Sequence, residues 1–206
     1  MIAKILDSLL SRPKPDIYNI NFPDVTGKKD TFRQVLLKNQ PPFFVIDWEI
    51  VLNRFHRFSR ALTSSWGDNF NIAYSFKTNY ELAASKILKR QDVLAEVVSG
   101  YEYTLAKKAG YSGNQIIFNG PVKRNEDLYR AFYDGALVHI DNADELMRAI
   151  EISKKSKKKI SVGIRINTSS TGIESRFGFS PEKGEVQRAL DSIKKSNKLI
   201  LTGLHI

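Results

Sequence analysis

The sequence predicts an α/β fold built on a parallel sheet, and three observations predict it. Six apolar runs of strand length lie along the chain: Phe70–Ser75, Val93–Val98, Gln115–Asn119, Ala136–Ile140, Ile160–Ile166 and Leu199–Ile206. Helical patterns separate them at Tyr80–Arg90, Tyr101–Ala109, Asn125–Tyr133, Ala143–Ser153 and Pro181–Ser196. The first five strand starts are evenly spaced, 21 to 24 residues apart, and the last interval is longer. Strict βα alternation with short loops implies parallel pairing, because every strand is entered from the same end. Two architectures satisfy that pattern, a doubly wound open sheet and a (β/α)8 barrel of TIM type. Even spacing without a long crossover favours the barrel. So does the turn after the first strand, which lacks the Gly-rich phosphate fingerprint of a dinucleotide-binding sheet.

The elements follow in order. Residues 1–40 read as a lead-in: an amphipathic helix in MIAKILDSLLSRPKPD, a link marked by Pro13 and Pro15, then polar turn signals over Asp24–Asp30. The barrel domain runs over 41–206. After PPFFVIDW, Val51, Phe55, Phe58 and Leu62 recur at helical spacing, and Trp66-Gly67-Asp68 stops that helix. In the first strand, alternation sets Ala73, Ser75 and Lys77 on one face and Ile72, Tyr74 and Phe76 on the other. Lys77 is therefore expected over small residues in a packed interior. An ammonium there is either paired or pushed towards its neutral form, and a neutral amine is what attacks a carbonyl. The plainer reading is a lysine at a strand end that snorkels to solvent. Gly110 ends the next helix but one, and Pro181 is expected in the first turn of the last helix.

Every strand delivers polar groups at its C-terminal end, where a barrel places its chemistry. They are Lys77-Thr78-Asn79, Glu96 followed by Ser99-Gly100, Asn119-Gly120, Asp141-Asn142, Arg165 with Asn167, and His205. A guanidinium inside VGIRIN needs a buried acceptor, and Glu96 or Asp141 is expected to supply it, unless Arg165 sits on the rim. His139 alternates with Asp141 and faces the barrel interior, or is hydrogen-bonded in the core; His56 is expected on a helix surface. The stretch Gly172–Ser180, with two aromatics and an arginine, reads as an interface or a lid.

Composition excludes several classes. The chain has 206 residues, is 42% hydrophobic and 26% charged, and has no cysteine, three histidines and a net charge of +10. That is too apolar for disorder, and no run suits a membrane-spanning helix. Disulfides, Cys-ligated metals and a Cys nucleophile are excluded, and a His-rich metal site is disfavoured. The N-terminus lacks a small-residue cleavage site, so a cytoplasmic protein is expected. The positive charge gathers in Ser153–Ile160 and Lys194–Lys198, at helix ends, without interleaved aromatics. Such lysines complement the negative helix pole and do not indicate nucleic acid.

The motifs resemble a known family. AYSFKTN (Ala73–Asn79) is similar to the lysine motif of pyridoxal-phosphate (PLP) enzymes with the alanine-racemase-like barrel, and more closely to the diaminopimelate, ornithine and arginine decarboxylases. AEVVSGYEY (Ala95–Tyr103), IIFNGPVK (Ile116–Lys123), HIDNADEL (His139–Leu146), GIRIN (Gly163–Asn167), SRFGF (Ser175–Phe179) and GLHI (Gly203–Ile206) follow in the family's order and spacing. The match runs from about Phe43 to the last residue.

The resemblance implies a fold, a cofactor and roles. The fold is a PLP-binding barrel with about six of its eight strands present. Lys77 would carry PLP covalently. Glu96 stands where the family usually has Asp, near that lysine and the cofactor, and Ser99 belongs to the same motif. Asn119 and Arg165 join the cofactor-binding set. His205 is the first His of a GLHxH motif, whose second His stacks on the pyridine ring. Arg176 stands at a position tied to a homodimer interface, where Lys is usual. The activity implied is decarboxylation of a small amino acid. Diaminopimelate comes first, because SGYE and IIFNG resemble that branch, while NGPVK leans towards ornithine. The family's Gly-rich phosphate loop, the acid at the pyridine nitrogen and the C-terminal β-domain fall outside the sequence, so a truncated protein, inactive alone, is expected. A racemase of the same fold usually has an aromatic-Gly-His-Gly pattern after the lysine, which is missing after Asn79. A non-catalytic, single-domain PLP carrier is closer to this length, but SRFGF and GLHI sit better with decarboxylases; a catalytically dead regulatory homologue is the third rival.

Overall fold

The computed structural model describes residues 26–40, 42–167 and 176–206. The expected N-terminal helix and Gly172–Ser175 of the expected lid lie outside them. The chain divides into two compact units, Met1–Asp68 and Asn69–Ile206.

In the first unit, α1 (Lys29–Lys38) precedes α2 (Trp48–Trp66). Asp47 starts α2 because its carboxylate accepts from the free amides of Glu49 and Ile50. Lys28 reaches both Asp47, at 2.7 Å, and Glu49, at 2.9 Å. Gly67, at φ 68°, ends the helix at the stop expected from the sequence. Of the predicted apolar face, Val51, Phe55 and Leu62 are half-buried and Phe58 is exposed.

In the second unit all six expected strands form, each a little shorter than its apolar run. They are β1 (Ala73–Ser75), β2 (Leu94–Val97), β3 (Ile116–Phe118), β4 (Leu137–Ile140), β5 (Ile160–Arg165) and β6 (Leu199–His205). They pair in parallel and in sequence order, β1-β2-β3-β4-β5-β6. A doubly wound sheet reverses its order at a switch point; this one winds in a single direction, as barrel strands do. Among the described residues β1 and β6 are edges and the sheet is open.

The helices between them are α3 (Leu82–Lys89), α4 (Gly100–Lys108), α5 (Asn125–Asp134), α6 (Ala143–Lys154) and α7 (Glu185–Ser196). The core lies where they cover one sheet face. Alternation sends Ala95, Val97, Ile116, Phe118, Val138, Ile140, Val162 and Ile164 to that face, and each is essentially fully buried. Tyr103, Leu128, Ala149 and Ile193 close over them from the helices. The Tyr103 hydroxyl donates to Asp134 at 2.9 Å, so its ring can be buried without stranding a donor.

The structure corrects one expectation and decides another. Pro181 does not sit in a first helical turn. Residues 181–184 form a turn closed by the Gly184 amide on the Pro181 carbonyl (2.9 Å), and α7 begins only after Gly184, whose φ of 67° no first-turn residue adopts. Of the two readings of Lys77, the structure takes the plainer: the side chain is exposed, not packed inside. Alternation gives its face correctly, but β1 is an edge strand, and even Ala73 beneath it is exposed. Gly110 does stop α4, with φ 96° and its amide on the Lys107 carbonyl.

Candidate active site

The uncovered face of the sheet collects the polar residues. Register pairs Ser75 with Glu96, His139 with Gly163, Gly163 with Gly203 and Arg165 with His205. Counting by two from these pairs sets Lys77, Asn119 and Asp141 on the same face.

A continuous hydrogen-bond row crosses β1 to β4. Ser75 Oγ donates to Glu96 Oε2, and Asn119 Nδ2 donates to Glu96 Oε1 at 2.8 Å. Asn119 Oδ1 meets His139 Nδ1. The His139 ring then lies 5.2 Å from that of His205 on β6, tilted by 31°. Burial pushes the His139 ring down to about 4, with His205 and Lys123 pushing the same way and Glu96 opposing. Gly163 makes room for this ring: a Cβ there would sit 2.1 Å from His139 Cδ2.

A second row stands nearer the strand ends. Arg165 donates to Asp141 Oδ1 at 3.0 Å and lies over the Phe177 ring, 5.1 Å from its centre. Of the two acceptors expected for Arg165, the structure selects Asp141. The His205 ring is lowered in pKa, chiefly by burial, then by Arg165, with Lys77 adding to the effect and Glu96 and Asp141 opposing it. Four charged residues from β1, β2, β4 and β5 thus act on one imidazole, which itself has a buried Nδ1 without a hydrogen-bond partner. Five of the six residues singled out from sequence, Lys77, Glu96, Asn119, Arg165 and His205, gather on this face.

Ser99 does not join them. It is the N-cap of α4: its hydroxyl accepts from the Glu102 amide at 3.2 Å, while the Glu102 carboxylate takes the Val98 amide at 2.9 Å. Replacing such a cap costs about 1 kcal/mol. Ser99→Ala is expected to lower stability by that amount in urea unfolding, and a change under about 0.3 kcal/mol would contradict the capping role.

Sequence reasoning missed the pair behind the site. Lys123 and Glu145 are both fully buried, 3.0 Å apart. Lys123 Nζ also donates to the carbonyls of Gly120, at 2.7 Å, and His139, at 2.9 Å. Glu145 Oε2 accepts the Asp141 amide at 2.8 Å, so Asp141 is held from behind while its carboxylate holds Arg165. The sequence carries no signal for it: in NGPVK and HIDNADEL, Lys123 looks like a loop charge and Glu145 like an ordinary first-turn acid.

A family model described as pyridoxal-dependent decarboxylase, pyridoxal binding domain, matches residues 49–206. The probable chloroplastic diaminopimelate decarboxylase of Oryza sativa is 34% identical over 175 residues, 80% of this chain and 35% of that protein. Diaminopimelate decarboxylase of Bacillus subtilis is 29% identical over 176 residues, 80% of this chain and 40% of that protein. The crystal structure of the Methanocaldococcus jannaschii enzyme with L-lysine superposes with a TM-score of 0.67 at 27% identity, over 76% of this chain and 39% of that one. The chain thus spans well under half the length of these relatives. Among the described residues, no helix is long and apolar enough to cross a membrane.

Proposed function

The chain belongs to the pyridoxal-dependent decarboxylase family, as its pyridoxal-binding domain, and from that premise we propose that it is the lysine-bearing barrel portion of a diaminopimelate decarboxylase. The observation that carries this reading is the exposed Lys77 amine at the end of β1, on the face where Glu96, Arg165 and His205 converge. Pyridoxal phosphate is the cofactor, and the residues present suit it: an accessible primary amine, a guanidinium, a carboxylate, and a buried imidazole nitrogen that still lacks a partner.

When bound, the cofactor supplies an electron sink for the bonding pair released at the substrate's α-carbon. The chain supplies attachment, orientation and charge. Lys77 Nζ would be the group that holds the cofactor, and its exposure leaves the amine reachable. Arg165 spends one nitrogen on Asp141 and keeps its fork fixed, with further donors for anionic oxygens. Glu96 is held through both oxygens and remains an acceptor beside the cationic groups. Among the described residues, His205 Nδ1 is the buried polar atom on this face that still needs a partner.

Diaminopimelate is favoured as substrate by the names of the relatives and by SGYE and IIFNG in this sequence. The homodimer and the cytoplasmic location expected from the sequence belong to this reading, with Arg176 at the dimer contact. Sedimentation analysis tests the former.

The decisive experiment is reductive trapping. The chain is incubated with pyridoxal phosphate, reduced with borohydride and peptide-mapped. Label at Lys77 approaching one per chain, and lost in Lys77→Ala, is expected. Label absent from Lys77, or spread evenly over the surface lysines, would overturn the assignment. Carbon dioxide release by the complete protein from meso-diaminopimelate, ornithine or arginine then identifies the substrate.

A further inference from the structure

We propose that Asn119 and His139 are positioning residues for Glu96, and that Gly163 is the notch that lets the imidazole reach its place. The proposal rests on the cofactor-binding reading above. It assigns Asn119, expected from sequence among the residues touching the cofactor, a role that acts through Glu96 instead.

The chemistry of the row permits one arrangement. Asn119 lies between an acid and an imidazole and is buried. Its Nδ2 must face Glu96 Oε1, because a flipped amide would set a carbonyl oxygen against a carboxylate. Asn119 Oδ1 then faces His139, and it can only accept. His139 Nδ1 must therefore carry a hydrogen, which leaves Nε2 bare in the neutral ring. Nε2 lies over the Gly163 notch: a Cβ at Gly163 would come within 2.7 Å of it, whereas one at Gly203, 3.9 Å away, would only touch it.

The ring's surroundings keep it neutral. His205 stacks beside it at 5.2 Å, and Lys123 donates to its backbone carbonyl at 2.9 Å. Glu96 stands one amide away. Burial, His205 and Lys123 together outweigh Glu96. The relay thus presents the same donor to Glu96 at any pH well above 4.

A glutamate side chain has three rotatable bonds, and fixing it costs conformational entropy. Ser75 on Oε2 and the relay on Oε1 hold the carboxylate before any ligand arrives. The Asn119 side chain bonds Glu96 on one side and His139 on the other, and the His139 ring is tied to the row through Asn119. Removing the far member should therefore loosen the near one.

The test has two arms. In the cofactor-free chain at pH 6, imidazole nitrogen spectra should show His139 neutral with hydrogen on Nδ1, and Asn119→Ala should abolish that preference. Hydrogen on Nε2 with Nδ1 bare overturns the relay. In the second arm, pyridoxal phosphate is trapped at Lys77 with borohydride. His139→Leu and Asn119→Ala should reduce trapping about tenfold at limiting cofactor, with thermal midpoints measured alongside. His139→Asn should restore it, because an Asn amide places a donor close to where Nδ1 stood. Equal trapping in parent and His139→Leu, or failure of His139→Asn to rescue a variant of equal thermal midpoint, overturns the positioning role. No trapping in the parent overturns the cofactor reading and the positioning role with it, and the nitrogen spectra tell that outcome from loss of the relay.

Discussion

Lys123→Met is expected to destabilise the second unit by about 3–5 kcal/mol, the range for breaking a buried ion pair at one end. The ammonium and the Glu145 carboxylate have no exposed side-chain surface, so water cannot replace either partner. Methionine fills the volume of lysine yet strands the carboxylate and the two carbonyls, of Gly120 and His139, that share the ammonium's hydrogens. Burial disfavours both charges, which lowers the affinity of Lys123 for its proton and raises that of Glu145, and their mutual attraction opposes this. The double variant Lys123→Met/Glu145→Gln should recover more than half of the loss. Its amide oxygen can still accept the Asp141 amide, and no lone charge remains. Urea unfolding followed by circular dichroism reads both. A loss below about 1 kcal/mol for the single variant would mean that the pair is solvated in solution. The same variant should weaken the Asp141–Arg165 bond, because Asp141 is held through Glu145.

The sheet was legible because its signal is local. A run such as VLAEVV interrupts its apolar series with one acid, and that acid's parity puts Glu96 on the face opposite Ala95 and Val97. The same parity places Lys77, His139 and Arg165 correctly. What parity cannot supply is whether a face is covered. Burial and exposure of Lys77 therefore both stay open in the sequence, and the edge position of β1 leaves it exposed. Partners across strands are only half legible. Arg165 has two acceptors open to it, and the parallel register, which pairs β5 with β4, decides for Asp141. The Lys123–Glu145 pair is not legible at all. Its members are 22 residues apart on a loop and a first helical turn, where charges are ordinarily solvated. Ser99 is legible in another way: its motif describes the start of α4 as well as the end of β2, and in the structure the hydroxyl caps the helix.

Gly163→Ala is the second large effect expected, and it tests why β5 carries a glycine at a point where neither a turn nor a positive φ calls for one. The added Cβ would lie 2.1 Å from His139 Cδ2 and 2.7 Å from Nε2, well inside contact distance. The imidazole cannot swing aside at no cost, since its Nδ1 is tied to Asn119 and its other flank faces His205. Relief must come from β5 or from breaking the row, and overpacking of this kind costs about 1–3 kcal/mol. Most of the penalty belongs to the ring contact, since the other near neighbour, the Gly203 carbonyl oxygen 3.2 Å from the added Cβ, need give only a few tenths of an ångström. Gly163→Ala in a His139→Ala background should therefore cost less than about 0.5 kcal/mol, a coupling that a double-mutant cycle measures directly. Equal penalties in both backgrounds would place the strain in β5 itself, at the irregularity between Val162 and Gly163. If the contact carries the penalty, Gly163→Ala should also lose pyridoxal phosphate trapping at Lys77 as His139→Leu does. A methyl group on β5 would then disturb a lysine at the end of β1 through Asn119 and Glu96 alone.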